Sequence, residues 1–143
     1  MEFDSSKLTL IDLISEQHAH LRRTVEQRWE EQSEIRFSHT EWYLLAKIEQ
    51  QTLSISQAAL IVGISRQAMQ KTVNKLENRG FILSKFQEGN KRDKFLFLSK
   101  NGQECVQKNN RLKTTLESEL ENELGKNGVK MLKTLFKKRW LSR

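Results

Sequence analysis

The chain has 143 residues, enough for one domain with its own core, so it needs no metal or disulfide to hold it together. It has no proline, 30% charged and 36% hydrophobic residues, and one cysteine, Cys105, which excludes an intrachain disulfide and favours a reducing compartment. Neither a basic leader nor a long apolar run occurs in the opening segment, MEFDSSKLTLIDL. We therefore expect no signal peptide, no membrane span and a cytoplasmic location.

The formal net charge of +7 is unevenly distributed along the chain. Residues 1–65 hold 6 basic and 10 acidic residues, a net charge of −4. Residues 66–100 hold 9 basic and 3 acidic residues (+6), and residues 101–143 hold 10 and 5 (+5). A basic segment next to an acidic one indicates a polyanionic partner with a defined docking face, and the alternative is a merely basic protein.

The first predicted helix covers residues 7–34. Its apolar stripe consists of Ile14, Leu21, Val25 and Trp29. Because the few apolar residues of the chain are periodic, we expect a thin helical protein rather than a disordered one. Such a protein often completes its core by oligomerising.

Two capping boxes begin the next two predicted helices. Ser38 with Glu41 has the form S-x-x-E, and Ser54 with Gln57 has the form S-x-x-Q. Gly63 ends the short helix that follows Ser54, and Ser65 caps a further helix that runs to Gly80. Two helices joined by a short turn with glycine form a helix-turn-helix pattern, and the second would enter the DNA major groove.

After Gly80 the apolar period changes from 3.6 to 2, which predicts a β-hairpin. Phe81–Leu83 with Phe86 forms one strand, residues 87–90 the turn and residues 94–98 the second strand. The basic residues at the tip are Lys91, Arg92 and Lys94. A basic hairpin directly after a helix-turn-helix is a wing.

A long helix is predicted from its cap at Ser99 to about residue 122, and its apolar stripe is thin. Residues 125–128 break the pattern, and a last helix follows with Val129, Leu132, Leu135, Phe136 and Trp140. The expected fold is mainly α with a small β-hairpin wing, a winged helix-turn-helix with long N- and C-terminal helices.

This order of elements resembles the MarR family of bacterial winged-helix transcription regulators. Two stretches carry the resemblance, LSISQAALIVGISRQAMQKTVNKLENRGF for the helix-turn-helix and NKRDKFLFLSKNG for the wing. The family's wing motif runs Asp-x-Arg and later Leu-Thr-x-x-Gly, which Arg92, Leu98-Ser99 and Gly102 match.

Two residues depart from the family pattern. Asn90 occupies the position of the aspartate that in the family shapes the wing and orients the arginine. Asparagine holds a turn through its side chain but forms no ion pair. Phe97 stands where a small polar residue is common.

The resemblance implies a single domain over residues 1–143 that forms a homodimer. Residues 7–36 and 99–143 would be the dimerisation helices and residues 37–98 the winged-helix DNA-binding lobe. The dimer would bind a pseudo-palindromic operator in double-stranded DNA and act as a transcription regulator, a repressor by expectation. The recognition helix 65–79 would occupy the major groove and the wing 87–94 the minor groove.

Eight residues are the candidate DNA contacts. Ser65 and Arg66 lie at a helix N-terminus, where free N–H groups and the dipole attract phosphate. The wing places Lys91 and Arg92 near the minor groove, which is narrow and strongly negative in A·T-rich tracts. The residues that face outward from the helix and can bond base edges are Gln67, Gln70, Lys71 and Asn74. The alternative is an ordinary solvated helix surface.

The family resemblance also implies an effector, since members often bind small anionic aromatic ligands or sense oxidants through a cysteine. Candidate pocket residues are His18, Trp42 and Tyr43, although Trp42 is more simply a core residue. We expect Cys105 to be structural, because Glu104 beside it does not lower a thiol pKa.

No cofactor, metal or enzymatic activity is expected. His18 and His20 diverge on a helix and no ligand set completes them. No catalytic motif occurs either. The rival reading is a winged-helix protein-interaction module that does not bind DNA. The lysines of the recognition face and wing argue against it, since interface cores are depleted of lysine.

Overall fold

The computed structural model describes residues 4–142 and has five α-helices and a three-stranded sheet in that range. The mainly α fold with a small β wing is confirmed. None of the described helices is long and apolar enough to cross a membrane. After a 3-10 turn at Ser5–Lys7, the elements in chain order are α1 (Leu10–Gln32), α2 (His39–Gln50), β1 (Leu53–Ser54), α3 (Ile55–Val62), α4 (Arg66–Asn78), β2 (Ile82–Gln87), β3 (Asn90–Leu98) and α5 (Lys100–Lys137).

The chain divides into two compact units. The central unit is Ile35–Lys108, and the terminal unit takes the residues up to Glu34 and from Asn109 onward. The helix-turn-helix and the sheet lie entirely in the central unit. The assignment of residues 7–36 and 99–143 to dimerisation stays a prediction.

Side-chain caps start the helices as the sequence predicts. The Ser38 hydroxyl accepts from the Glu41 N–H (3.1 Å) and the Glu41 carboxylate accepts from the Ser38 N–H (2.8 Å). Ser54 and Gln57 make the same pair of bonds at 3.2 and 2.9 Å. A third box, between Thr9 and Asp12 at the start of α1, was not predicted. Its aspartate stands where the usual motif has glutamate or glutamine.

The sheet differs from the predicted two-stranded hairpin. Its order is β1-β3-β2, and β1 pairs with β3 through Leu53↔Leu96. Two residues are too few to show a strand period, so β1 had no sequence signal. The predicted turn at residues 87–90 is too long, because Gln87 pairs with Asn90 and only Glu88-Gly89 form the loop. Gly89 has a φ of +83°, which glycine tolerates.

A bulge in β3 shapes the wing. Lys85 pairs with Phe95 and Gln87 with Asn90, so the four residues 91–94 of β3 lie opposite the single Phe86 of β2. Such a bulge re-aims side chains at the end of a hairpin. Lys91 and Arg92, predicted at the tip of the hairpin, therefore lie in the bulged segment of β3.

The core of the central unit lies between the helix-turn-helix and the sheet. On α4 the inward side chains Met69, Val73 and Leu76 are fully buried, as predicted. Trp42 is half-buried and packs edge-on against Phe37, with ring centroids 4.7 Å apart. The other fully buried large side chains of the described core are Leu44, Leu45, Ile55, Ile82 and Leu96.

The terminal unit contains α1 and most of α5. The predicted break at residues 125–128 is narrower than expected: only Gly125, with φ 77° and ψ 156°, leaves the helical conformation, and it divides α5 into a long and a short helical segment. Glu117 and Lys133 form an ion pair across it, although sixteen residues of straight helix would span about 24 Å. The chain therefore reverses sharply at Gly125. A bidentate pair between Arg28 and Glu119 joins α1 to the first segment of α5.

Candidate nucleic-acid interface

The recognition helix α4 begins immediately after a glycine turn. Gly63 ends α3 in the left-handed conformation, with a φ of +83°, and its N–H donates to the Ala59 carbonyl oxygen. Ser65 then caps α4, because its hydroxyl accepts from the Ala68 N–H at 3.0 Å. Ser65 is thus the N-cap of α4, as the sequence predicts.

The two faces of α4 differ as the sequence predicts. Opposite the buried stripe, Gln67, Lys71 and Asn74 are exposed. Gln70 is half-buried and its amide donates to the Asn74 side-chain oxygen at 2.9 Å. This hydrogen bond fixes the orientation of two side chains that can bond adenine bidentately.

Arg66 takes part in a closed triangle that the sequence did not predict. Its Nε donates to the Ser56 hydroxyl (3.1 Å) and its Nη2 pairs with Asp93 Oδ1 (3.4 Å). The Ser56 N–H in turn donates to Asp93 Oδ2 (3.3 Å). The three residues join the first turns of α3 and α4 to the bulge of β3. They are 10 to 37 positions apart, so no local spacing marks them.

The carboxyl of Asp93 is kept ionised by this environment. Desolvation raises the pKa of Asp93, but hydrogen bonds from Ser54 and Ser56 and the charge of Arg66 outweigh it, so the pKa lies below its ordinary value. Because the pKa of this carboxyl is lower in the folded than in the unfolded protein, its ionisation stabilises the fold at pH values above the ordinary carboxyl pKa. This stabilisation is lost as the pH falls through the folded-state pKa. At neutral pH the triangle is therefore intact.

Asn90 shapes the wing without an ion pair. Its side-chain oxygen accepts from the N–H groups of Arg92 (3.1 Å) and Asp93 (3.3 Å). This is the turn that the sequence predicts for asparagine at this position. Lys91 and Arg92 are both exposed, and the Lys94 ammonium lies 5.4 Å from the centre of the Phe86 ring.

The C-terminal end of α4 is held by Arg79. Its guanidinium donates to the Arg36 carbonyl oxygen (2.7 Å) and pairs with the buried carboxylate of Glu41 (3.5 Å). It also stacks on the rings of Phe37 and Phe81, 4.9 and 5.1 Å from their centres. With the triangle at its other end, the recognition helix is anchored at both ends and is presented rigidly.

Cys105 is buried, with 5% of its surface exposed. Burial raises the pKa of its thiol; Glu104 raises it further and Lys108 and Arg79 partly oppose this. A thiol that resists ionisation is a poor nucleophile. The geometry agrees with the structural role expected from the sequence.

For Cys105 we expect no change in DNA affinity after peroxide treatment, because the protonated, buried thiol reacts slowly. Fluorescence anisotropy before and after treatment measures this, with the Cys105→Ser variant as control. A loss of binding that a reductant reverses and that Cys105→Ser abolishes would contradict the expectation.

A cavity of about 330 Å³ opens in the central unit beside the sheet. Neither Trp42 nor Tyr43 contributes to its lining, and Glu49 is its one charged lining residue. Among residues 4–142, no group of three His, Cys, Asp or Glu side chains is placed to hold a metal ion. The full lining is Ile48, Glu49, Thr52, Leu96, Phe97, Leu98, Gln103 and Gln107.

The capped helix pair, the rigid α4 and the bulged hairpin define a winged helix-turn-helix. The model of the MarR family matches residues 37–93, which confirms the resemblance to that family over the segment with the recognition helix and most of the wing. No curated protein matches the sequence of the chain significantly.

Solved structures of transcription regulators share the whole fold at low identity. The transcriptional repressor CouR, bound to a 23-mer DNA duplex, is 16% identical with a TM-score of 0.77, over 95% of this chain and 96% of that one. The reduced form of MarR from E. coli is 16% identical with a TM-score of 0.75, over 93% and 97%. BldR from Sulfolobus solfataricus is 18% identical with a TM-score of 0.68, over 96% of both chains.

Proposed function

We propose that the protein is a dimeric, sequence-specific DNA-binding transcription regulator of the cytoplasm, acting as a repressor. The observation that carries this proposal is the rigid α4, whose exposed face combines amides with Lys71, next to a wing with exposed Lys91 and Arg92. In this proposal α4 enters the major groove and the wing the minor groove, and phosphate contacts supply most of the affinity.

Base reading is assigned to the amide face of α4. Gln67, Gln70 and Asn74 present donors and acceptors that match the edge of adenine, and Lys71 donates to guanine or phosphate. The N–H groups after the Ser65 cap meet a phosphate, and Lys91 and Arg92 follow the minor groove.

Dimerisation is assigned to the terminal unit. Large apolar side chains are exposed there in the single chain, and a soluble monomer rarely exposes so many together. They are Leu10, Ile11 and Leu13 on α1 and Leu124, Met131, Leu132, Leu135, Phe136, Trp140 and Leu141 in and after α5. Light scattering at micromolar concentration tests this assignment, and a monomer would contradict it.

A small-molecule effector that releases the DNA is part of the proposal. The cavity beside the sheet supports it by its size and by its position against β3, which carries the wing. Its lining combines apolar side chains with polar ones, so a ligand with an apolar body and a few polar groups fits this cavity.

For Gln70→Ala we expect an altered sequence preference, because the variant loses both the base-reading amide and the hydrogen bond that orients Asn74. Discrimination at the contacted base pair should fall by about 1–3 kcal/mol. Selection from a randomised operator library measures the preference. Thr72→Ala, on the same helix and bonded to the Ala68 carbonyl oxygen, is the control.

An unchanged sequence preference of the Gln70→Ala variant would show that Gln70 does not read a base.

The rival function, a protein-interaction module, is favoured by one result only. That result is a failure of the wild-type protein to bind any duplex DNA, even at low salt where electrostatic binding is strongest.

A further inference from the structure

Arg66 occupies a position where a free cation would strengthen DNA binding. It is the first residue of α4, and 52% of its side chain is exposed. Its guanidinium is nevertheless bonded to Ser56 and paired with Asp93, whose side chain is only 17% exposed. A charge at the front of the recognition helix is thus neutralised by a fixed carboxylate from the wing.

We propose that Asp93 is a positioning residue that withholds the Arg66 guanidinium from DNA phosphates and thereby lowers the electrostatic, sequence-independent part of the affinity for DNA. The proposal rests on the DNA-binding function proposed above. It differs from the sequence-based expectation, in which Arg66 contacts a phosphate directly.

The physical reason is the like charge of carboxylate and phosphate. A phosphate that approached Arg66 would also meet Asp93, 3.4 Å from the guanidinium, and would have to replace it. The carboxylate would then lose an ion-pair partner while it stayed mostly buried and bonded to the Ser56 N–H.

The two modes of DNA binding differ in how much they depend on phosphate contacts. Non-specific binding is almost entirely electrostatic, whereas operator binding also draws on base contacts. Removal of one cation from each protomer's phosphate-binding set therefore lowers the term that supplies almost all of non-specific binding, while operator binding keeps its base contacts. The bond from Nε to Ser56 also fixes the first turn of α4 against α3, which keeps the amide face in register.

The first test replaces Asp93 by asparagine. Asparagine keeps an acceptor for the Ser56 N–H but removes the charge that holds Arg66. We expect the affinity for a random-sequence duplex to rise roughly five- to tenfold per protomer at 0.1 M salt, with a salt slope steeper by about 0.9 per protomer.

Two control variants show whether the change in salt slope comes from the released Arg66. The double variant Asp93→Asn with Arg66→Gln should return the slope to the wild-type value, because the released cation is gone. Glu104→Gln removes the same charge from an exposed position of α5, outside the helix and the wing proposed to bind DNA, and its slope should stay at the wild-type value. A salt slope that Asp93→Asn leaves unchanged or makes shallower, in a folded variant, overturns the proposal.

Arg66→Gln alone provides a test that does not depend on the folding of Asp93→Asn. If Arg66 is withheld, this variant keeps the wild-type salt slope, whereas Lys71→Gln lowers it. Equal losses for both variants would place Arg66 on a phosphate and overturn the proposal. If the wild-type protein bound no DNA at all, the proposed DNA-binding function itself would be wrong. That result is distinct from one in which the protein binds DNA and Arg66 contacts a phosphate.

Discussion

Replacement of Arg92 by alanine is expected to weaken operator binding by about ten- to a hundredfold while the oligomeric state is unchanged. Arg92 is exposed in the bulge of β3, and the Asn90 side chain fixes its backbone. Its charge is therefore held at the end of the wing. A contact by a charged group contributes about 1.5–3 kcal/mol, and each 1.4 kcal/mol is a factor of ten.

Fluorescence anisotropy with an operator duplex measures the loss, and light scattering measures the oligomeric state. Arg22→Ala is the control, because it removes another exposed arginine, from α1. If Arg92→Ala binds like the wild type, Arg92 is not a DNA contact. If Arg22→Ala loses as much, the effect reflects net charge alone.

Gly102→Ala is expected to destabilise the protein by about 3 kcal/mol, the upper end of the usual range for overpacking, seen as a fall in Tm of roughly 10 °C. A Cβ at Gly102 would overlap the backbone carbonyl oxygen of Phe81, which cannot rotate away as a side chain would. That same oxygen accepts from the Ser99 N–H at 3.0 Å, and the Ser99 hydroxyl donates to the Gly80 carbonyl oxygen at 2.6 Å.

The start of α5 therefore packs directly on the backbone that follows the recognition helix, and any shift there moves α4. Thermal unfolding followed by circular dichroism tests this. Asn101→Ala, an exposed substitution in the same helical turn, is the control and should change the free energy of unfolding by no more than about 0.5 kcal/mol. A Gly102→Ala protein as stable as this control would contradict the close approach.

The elements that were predicted correctly have local signals. Each of these features depends on residues only four or five positions apart, so the sequence itself shows them. They are the capping boxes at Ser38 and Ser54, the helix-ending glycine at position 63 and the buried stripe of α4. The MarR wing motif likewise located Gly102, and the structure adds the steric reason for a glycine there.

The features that were missed depend on distant partners. β1 exists only because β3 pairs with it, and the bulge is visible only in the register of two strands. Arg66 was expected at a phosphate because its position in the helix is all that the sequence reveals. Its bond to Asp93, 27 residues away, requires the folded wing.

The bulge of β3 makes the wing adjustable. Core packing fixes the strand at Leu96, which is buried and pairs with Leu53, so a slip of register there would expose apolar side chains. Residues 91–94 are not held in register by strand pairing, because all four lie opposite the single residue Phe86 of β2. Insertions that keep Asp93 against Arg66 can change the reach of the wing while Leu96 and the rest of the sheet stay in place.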